Sequence, residues 1–216
     1  AAIDEPAWKR PVWKLFRQNW VNPSYGGGEA QPGCWFDVTI GDVQIFFLDG
    51  RYYRDREADS MLGEAQKVWL LRALRASTAT FKVLATPVPV TAGIKPGSKD
   101  PWDGYPKERE EILRFLETDK IEGVFWIAGD RHRTDVRVSP RADGYDVVEW
   151  TSSKLTNRHT HPLVRRAGLV EGYNKQCSFG LMHFDTVRED PRVRLECVAL
   201  DGTTAFEYSL PLSRLR

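Results

Sequence analysis

Hydrophobic positions along this chain follow two patterns: short unbroken apolar runs, and longer stretches where they recur every three or four residues. The first pattern is seen in VQIFFLD (43–49), FKVLATPVPV (81–90) and VFWIA (124–128). Such runs, rich in β-branched and aromatic residues and closed by glycine, proline or charge, predict strands buried on both faces of a sheet. The second pattern predicts helices. Trp13, Phe16 and Trp20 share a helical spacing within residues 7–20. From Met61 to Ser77, a broad stripe contains Leu62, Ala65, Trp69 and Ala73, with Leu70 and Leu74 beside them. In KEREEILRFLETD (107–119), Ile112, Leu113 and Leu116 face one way.

Turn formers arrange these elements. CWFDVTI (34–40) and the 43–49 run flank Gly41-Asp42 and predict a hairpin. After His132 the pattern is mostly of strands: TDVRVS, YDVVEWTSS, SFGLMHFDTV, RVRLECVAL and TTAFEYSLPL, the last two joined at Asp201-Gly202. NRHTHPLVRRAGLVEGYN (157–174) reads as one long surface loop. An α/β front half and an antiparallel back half predict an α/β (α+β) sandwich of two sheets covered by helices, forming a single domain over residues 1–216.

Composition narrows the function classes. With 41% hydrophobic residues, eight tryptophans and ten phenylalanines, the chain has ample core material and is not of disordered type. A formal net charge of +1 gives no whole-molecule field for nucleic acid, and the basic stretch RHTHPLVRR is read as solvated surface. Cys34, Cys177 and Cys197 lack CxxC spacing, which excludes zinc-ribbon and thioredoxin readings and leaves one disulfide open. No apolar run reaches membrane-span length, and AAIDEPAWKR has no signal-peptide character.

Chemistry gathers at strand ends. The 124–128 run empties into Gly129, Asp130, Arg131, His132 and Arg133. A turn of this kind can set the Asp130 carboxylate and the His132 imidazole on one side of a loop, facing a metal that polarises a phosphoryl oxygen and activates water. An equally weighted reading has Asp130 paired with Arg131 or Arg133 and His132 capping the turn. Arg51 and Arg54 follow the 43–49 strand; each can hold a phosphate bidentately or pair with Asp49, Asp55 or Asp59, with the structural reading ahead for Arg54. His159 and His161 are read as exposed loop residues without a special role, and His183 as a structural strand histidine.

In order, FRQNWVNPSYG, GDVQIFFLDGRYYRD, MLGEAQKVWLLRAL, DPWDGYPKEREEILRFL, GVFWIAGDRHRTDV, VVEWTSSKLTN and FGLMHFDT together resemble the alkaline phosphatase D (PhoD-like) family of calcineurin-like metallophosphoesterases. The resemblance implies a four-layer αββα sandwich with a metal centre at the strand ends, acting on phosphate mono- or diesters. It gives Asp130 and His132 the metal-ligand positions, counts both together with Arg51 as catalytic, and associates Arg51, Arg131 and Asp103 with substrate. The implied cofactors are divalent or mixed metal ions, among Fe, Ca, Mn, Mg and Zn. Two departures qualify it. The family's early metal motifs precede the segments found here, so the chain is expected to be the C-terminal portion of a longer domain, weak alone, with a complementing N-terminal fragment or a homo-oligomer as partner. At LATPVPVTAG, Pro87, Val88 and Pro89 offer no ligand side chain and only Thr86 supplies a hydroxyl. Location outside the cytoplasm, periplasmic or secreted, is expected only if the full-length protein carries an export signal. The alternative is a catalytically inactive remnant or binding module of the same fold.

Overall fold

The computed structural model describes residues 5–156 and 158–216; residues 1–4 and Asn157, which opens the stretch expected to be one loop, lie outside the described residues. In chain order the elements are α1 (Lys9–Asn19), β1 (Gly26–Gly27), β2 (Gln31–Pro32), β3 (Phe36–Ile40), β4 (Val43–Phe47), α2 (Glu64–Ala76), β5 (Phe81–Thr86), α3 (Pro106–Thr118), β6 (Val124–Ala128), β7 (Thr134–Ser139), β8 (Val147–Thr151), β9 (Leu169–Tyr173), β10 (Ser178–Asp185), β11 (Arg192–Ala199) and β12 (Thr204–Pro211). A large sheet has the order β3-β4-β5-β6-β8-β7-β9, and a small antiparallel sheet the order β10-β11-β12. Strands β4, β5, β6 and β8 run parallel, so their carboxyl ends leave the large sheet along one edge. β3 and β7 run against them, and β9 against β7.

The central strands are largely apolar because both of their faces are covered, with Lys82, Thr86, Glu149 and Thr151 as buried polar exceptions. Phe46, Leu84, Val124 and Trp126 pack toward Leu70 and Leu74 of α2 and toward Ile112, Leu113 and Leu116 of α3. Val43, Phe81, Val83 and Phe125 pack the other way, toward Val193, Leu195 and Leu210 of the small sheet. Gly180 of β10 lets the sheets meet, since a Cβ there would stand 2.3 Å from the Trp150 ring. Helices, large sheet and small sheet make three of the four expected layers. Among the described residues no helix covers the outer face of the small sheet, where Phe179 and Leu181 are exposed.

Three local readings are refined by the structure, and one open question is answered. In α1 only Trp13 is buried, with its indole N–H donated to Gly33 O at 2.8 Å; Trp20 is exposed and stacks on Phe16. In α2 the buried line is Gln66, Leu70 and Leu74, one position round from the Ala65, Trp69 and Ala73 line, which lies half-buried beside it. Gln66 is tolerated there because its side-chain amide is fully used: Oε1 accepts Asp49 N–H at 2.7 Å, while Nε2 donates to Asp49 O and Leu62 O. The expected long loop contains β9, whose weak alternation reflects its place at a sheet edge beside β7. Gly168 turns the chain into it with φ +68°, where a Cβ would lie 2.0 Å from Val138 O. No disulfide links Cys34, Cys177 or Cys197.

Candidate functional site

Because the parallel strands end along one edge, their following loops converge there: Asp49 to Arg54 after β4, Pro87 to Tyr105 after β5, Gly129 to Arg133 after β6 and Ser152 onward after β8. The carboxyl edge of such a sheet is where α/β folds build ligand sites. The turn after β6 is strained: Asp130 and His132 take φ of 68° and 48°, left-handed values that L-residues hold only when their surroundings fix them. One such contact is the His132 N–H, which donates to Ser153 Oγ at 3.2 Å, tying this turn to the loop after β8.

That loop brings His159 and His161 onto His132. A ligand nitrogen from each of the three imidazoles lies within 4.8 Å of the others. Ring centres are 5.5 Å apart for His132 and His159, 5.4 Å for His132 and His161, and 4.7 Å for His159 and His161. Between the paired histidines, Thr160 donates its hydroxyl to His132 O at 2.8 Å, and Asn174 Nδ2 donates to His161 O at 3.2 Å. His132 Nδ1 is buried without a hydrogen-bond partner. Partial burial, then the charge of Arg131 and the neighbouring rings, lowers the His161 pKa below the ordinary histidine value, which favours its neutral form. His159 and His161 do lie in a loop, but that loop packs both rings against His132, a contact the reading of the sequence did not include. Their i, i+2 spacing was the available signal; the contact with His132 was not visible in the sequence. His183 lies on β10, hydrogen-bonded to Glu196 at 2.8 Å.

Asp130 stands beside this cluster and outside it. Its Oδ2 lies 3.2 Å from Lys95 Nζ, a partner not among those the sequence suggested, and 3.9 Å from Arg131 Nη1, while Arg133 turns to Asp135. Lys95 is also 3.6 Å from Asp100, which receives Arg51 at 2.6 Å and Arg54 at 2.7 Å. The two arginines thus share Asp100 as partner, in place of Asp49, Asp55 or Asp59. Arg51 foremost, with Arg54, holds the Asp100 carboxyl well below the usual carboxylate range, and the same contact raises Arg51. Asp49 instead accepts the backbone N–H groups of Cys34, Arg51 and Tyr52, fixing the turn after β4. Asp103 accepts Gly93 N–H at 2.9 Å and lies 3.6 Å from Arg109. Thr86 donates to Val88 O and accepts from the Trp102 indole, so its hydroxyl is engaged.

Beneath the histidine loop the sequence pattern misleads. Asp135 and Arg137 on β7, with Arg133 just before it, alternate as a solvent face would, yet each is 0% exposed. Asp135 receives Arg133 at 2.6 Å and Arg137 at 3.0 Å; Arg137 then donates to the carbonyls of Val164, Arg166 and Ala167, closing the loop over the strand. Arg131 is also buried, and its Nε and Nη1 have no hydrogen-bond partner.

Imidazoles with a carboxylate nearby suit a divalent ion, and the unpartnered buried nitrogen of His132 fits a ligand position. The chain is thus an α/β sandwich whose strand-end loops gather imidazoles, carboxylates and arginines along one edge of its large sheet. The profile of the PhoD-like phosphatase family matches residues 19–171, and the chain belongs to that family. Alkaline phosphatase D of Bacillus subtilis (strain 168) is 32% identical over 140 residues, covering 54% of this chain and 23% of that protein. A solved structure of PhoD superposes with a TM-score of 0.67 at 16% identity, covering 96% of this chain and 49% of its own, and so shares the fold. The chain spans about a quarter of the length of the curated relative and about half that of the solved structure. Among the described residues no helix is long and apolar enough to cross a membrane.

Proposed function

We propose that this chain serves metal-dependent hydrolysis of phosphate mono- or diesters, contributing the Gly129-Asp130-Arg131-His132 loop to a centre completed by further protein. The observation that carries the reading is the strained turn that holds His132, with its unpartnered buried nitrogen, at the carboxyl edge of the sheet. His132 and Asp130 are the proposed ligands. A bound divalent ion supplies polarisation of a phosphoryl oxygen and activation of water. Arg131, buried with unpartnered N–H groups beside the histidines, and Arg51, half-exposed beyond its Asp100 contact, would bind and orient the phosphoryl oxygens. Asp103 acts in this reading through the 93–103 loop that it pins, by positioning instead of direct contact.

These ligands are too few for a two-ion phosphoesterase centre, whose hard cations take about six donors each, so full activity is assigned to the completed protein. The test is hydrolysis of p-nitrophenyl phosphate and of its bis-ester by the chain co-expressed with the N-terminal half of a close relative, with Fe, Ca, Mn, Mg or Zn ions supplied in turn. Turnover that chelator abolishes and metal restores is expected, with little from the chain alone. Absence of turnover with every ion in a folded complex would remove the proposal and leave a non-catalytic sandwich module.

A further inference from the structure

We propose that His132, His159 and His161 together bind one borderline divalent ion of the zinc type, as a three-imidazole site complete within this chain. The inference deepens the proposed function and rests on the same reading of His132 as a ligand. It shares His132 with that reading, takes its other two ligands from a loop that the GDRH motif does not include, leaves Asp130 outside this ion's donor set, and names the metal class.

Geometry supports it first. Three imidazoles sharing an ion at about 2.0–2.1 Å per nitrogen, at tetrahedral angles, place their ring centres about 5 Å apart. The observed separations of 4.7, 5.4 and 5.5 Å bracket that spacing. The 4.8 Å bound on the ligand atoms leaves only a small inward movement to be made on binding. His132 Nδ1 provides an independent sign: it is buried beside two other imidazoles and has no hydrogen-bond partner.

The scaffold also fits. His159 and His161 flank Thr160, and both rings approach His132 while the Thr160 hydroxyl donates to His132 O. This hydroxyl fixes the histidine pair against the strained β6 turn from behind, as supporting hydrogen bonds fix metal ligands. The donor set then selects the ion. The cluster contains no carboxylate, and neutral imidazoles suit Zn²⁺ and its transition-metal neighbours, whereas Ca²⁺ and Mg²⁺ require oxygen. With three protein ligands on one ion and His159 exposed to solvent, the fourth side stays accessible, the arrangement of catalytic sites as opposed to closed structural ones.

The test uses the full chain, stripped by chelator and titrated with Zn²⁺, and with Co²⁺ as a visible-absorption probe. One saturable Zn²⁺ equivalent and a tetrahedral Co²⁺ spectrum are expected, with no competition from Ca²⁺. In the unmutated chain, Zn²⁺ should shift the ring resonances of three of its four histidines, leaving His183 unmoved. His159→Ala and His161→Ala should each weaken Zn²⁺ binding by more than the about 10–100-fold that loss of an outer partner costs, and Thr160→Val by about tenfold, with unchanged circular dichroism. His183→Ala should bind as the parent does. No saturable binding, or binding indifferent to His159→Ala and His161→Ala, would overturn the inference and leave three rings packed against one another. The two proposals fail separately. Zn²⁺ binding without turnover in the completed protein removes only the phosphoesterase reading, while turnover with no dependence on His159 or His161 removes only this site.

Discussion

Asp100 shows how much of the site a sequence can hide. Arg51 and Arg54 were recognisable as strand-end arginines, but the carboxylate that holds them comes from a loop 49 residues after Arg51, past several nearer aspartates. Asp49, the nearest, was already committed to three backbone N–H groups. His132 was likewise legible from its place after a buried strand, whereas His159 and His161 looked like ordinary loop residues until the fold closed that loop over the β6 turn. The Asp100 clasp has a pH signature. Its folded pKa lies below the ordinary range, so it adds stability wherever the unfolded carboxylate is ionised and loses that contribution as pH falls through the folded value. Asp100→Asn should therefore melt below the parent at neutral pH, with the gap narrowing only as pH drops below about 4. Thermal melts across that range check it, and a gap independent of pH would show that the clasp does not stabilise the fold.

Among the elements, the unbroken apolar strands and the amphipathic helices were the readable part, because burial on two faces or on one stripe leaves a direct mark on residue order. Strand β7 was readable as a strand but not as to its facing. Its Asp135 and Arg137, with Arg133 just before it, would ordinarily mark solvent; here Asp135 joins the two arginines and Arg137 reaches the carbonyls of the 164–167 segment, so for Arg137 the covering loop supplies what water would have, while Arg133 Nη1 and Nη2 are buried without a hydrogen-bond partner. Edge strand β9 escaped notice for the related reason that an edge buries too little to impose a pattern. Arg137→Ala removes one partner of Asp135 and three carbonyl contacts together. It should cost on the order of 3–5 kcal/mol in urea unfolding, the range for breaking a buried ion pair. A loss below about 1 kcal/mol would mean that the loop is held by other contacts.

At the scale of the whole molecule, parallel β4, β5, β6 and β8 bring loops distant in sequence to one edge, and this topology gathers scattered arginines, aspartates and histidines there. The segments that revealed the family were those the core constrains, which is why the resemblance extended along the chain while the ligand set did not. In the completed protein, steady-state hydrolysis of p-nitrophenyl phosphate by His132→Ala should be set against the parent, with thermal melts of both. A ligand on a loop positions metal more than it packs core, so turnover is expected to fall by about a thousandfold or more with nearly unchanged melting. Turnover within about tenfold of the parent, in an equally stable protein, would contradict the assignment of His132 to the metal centre.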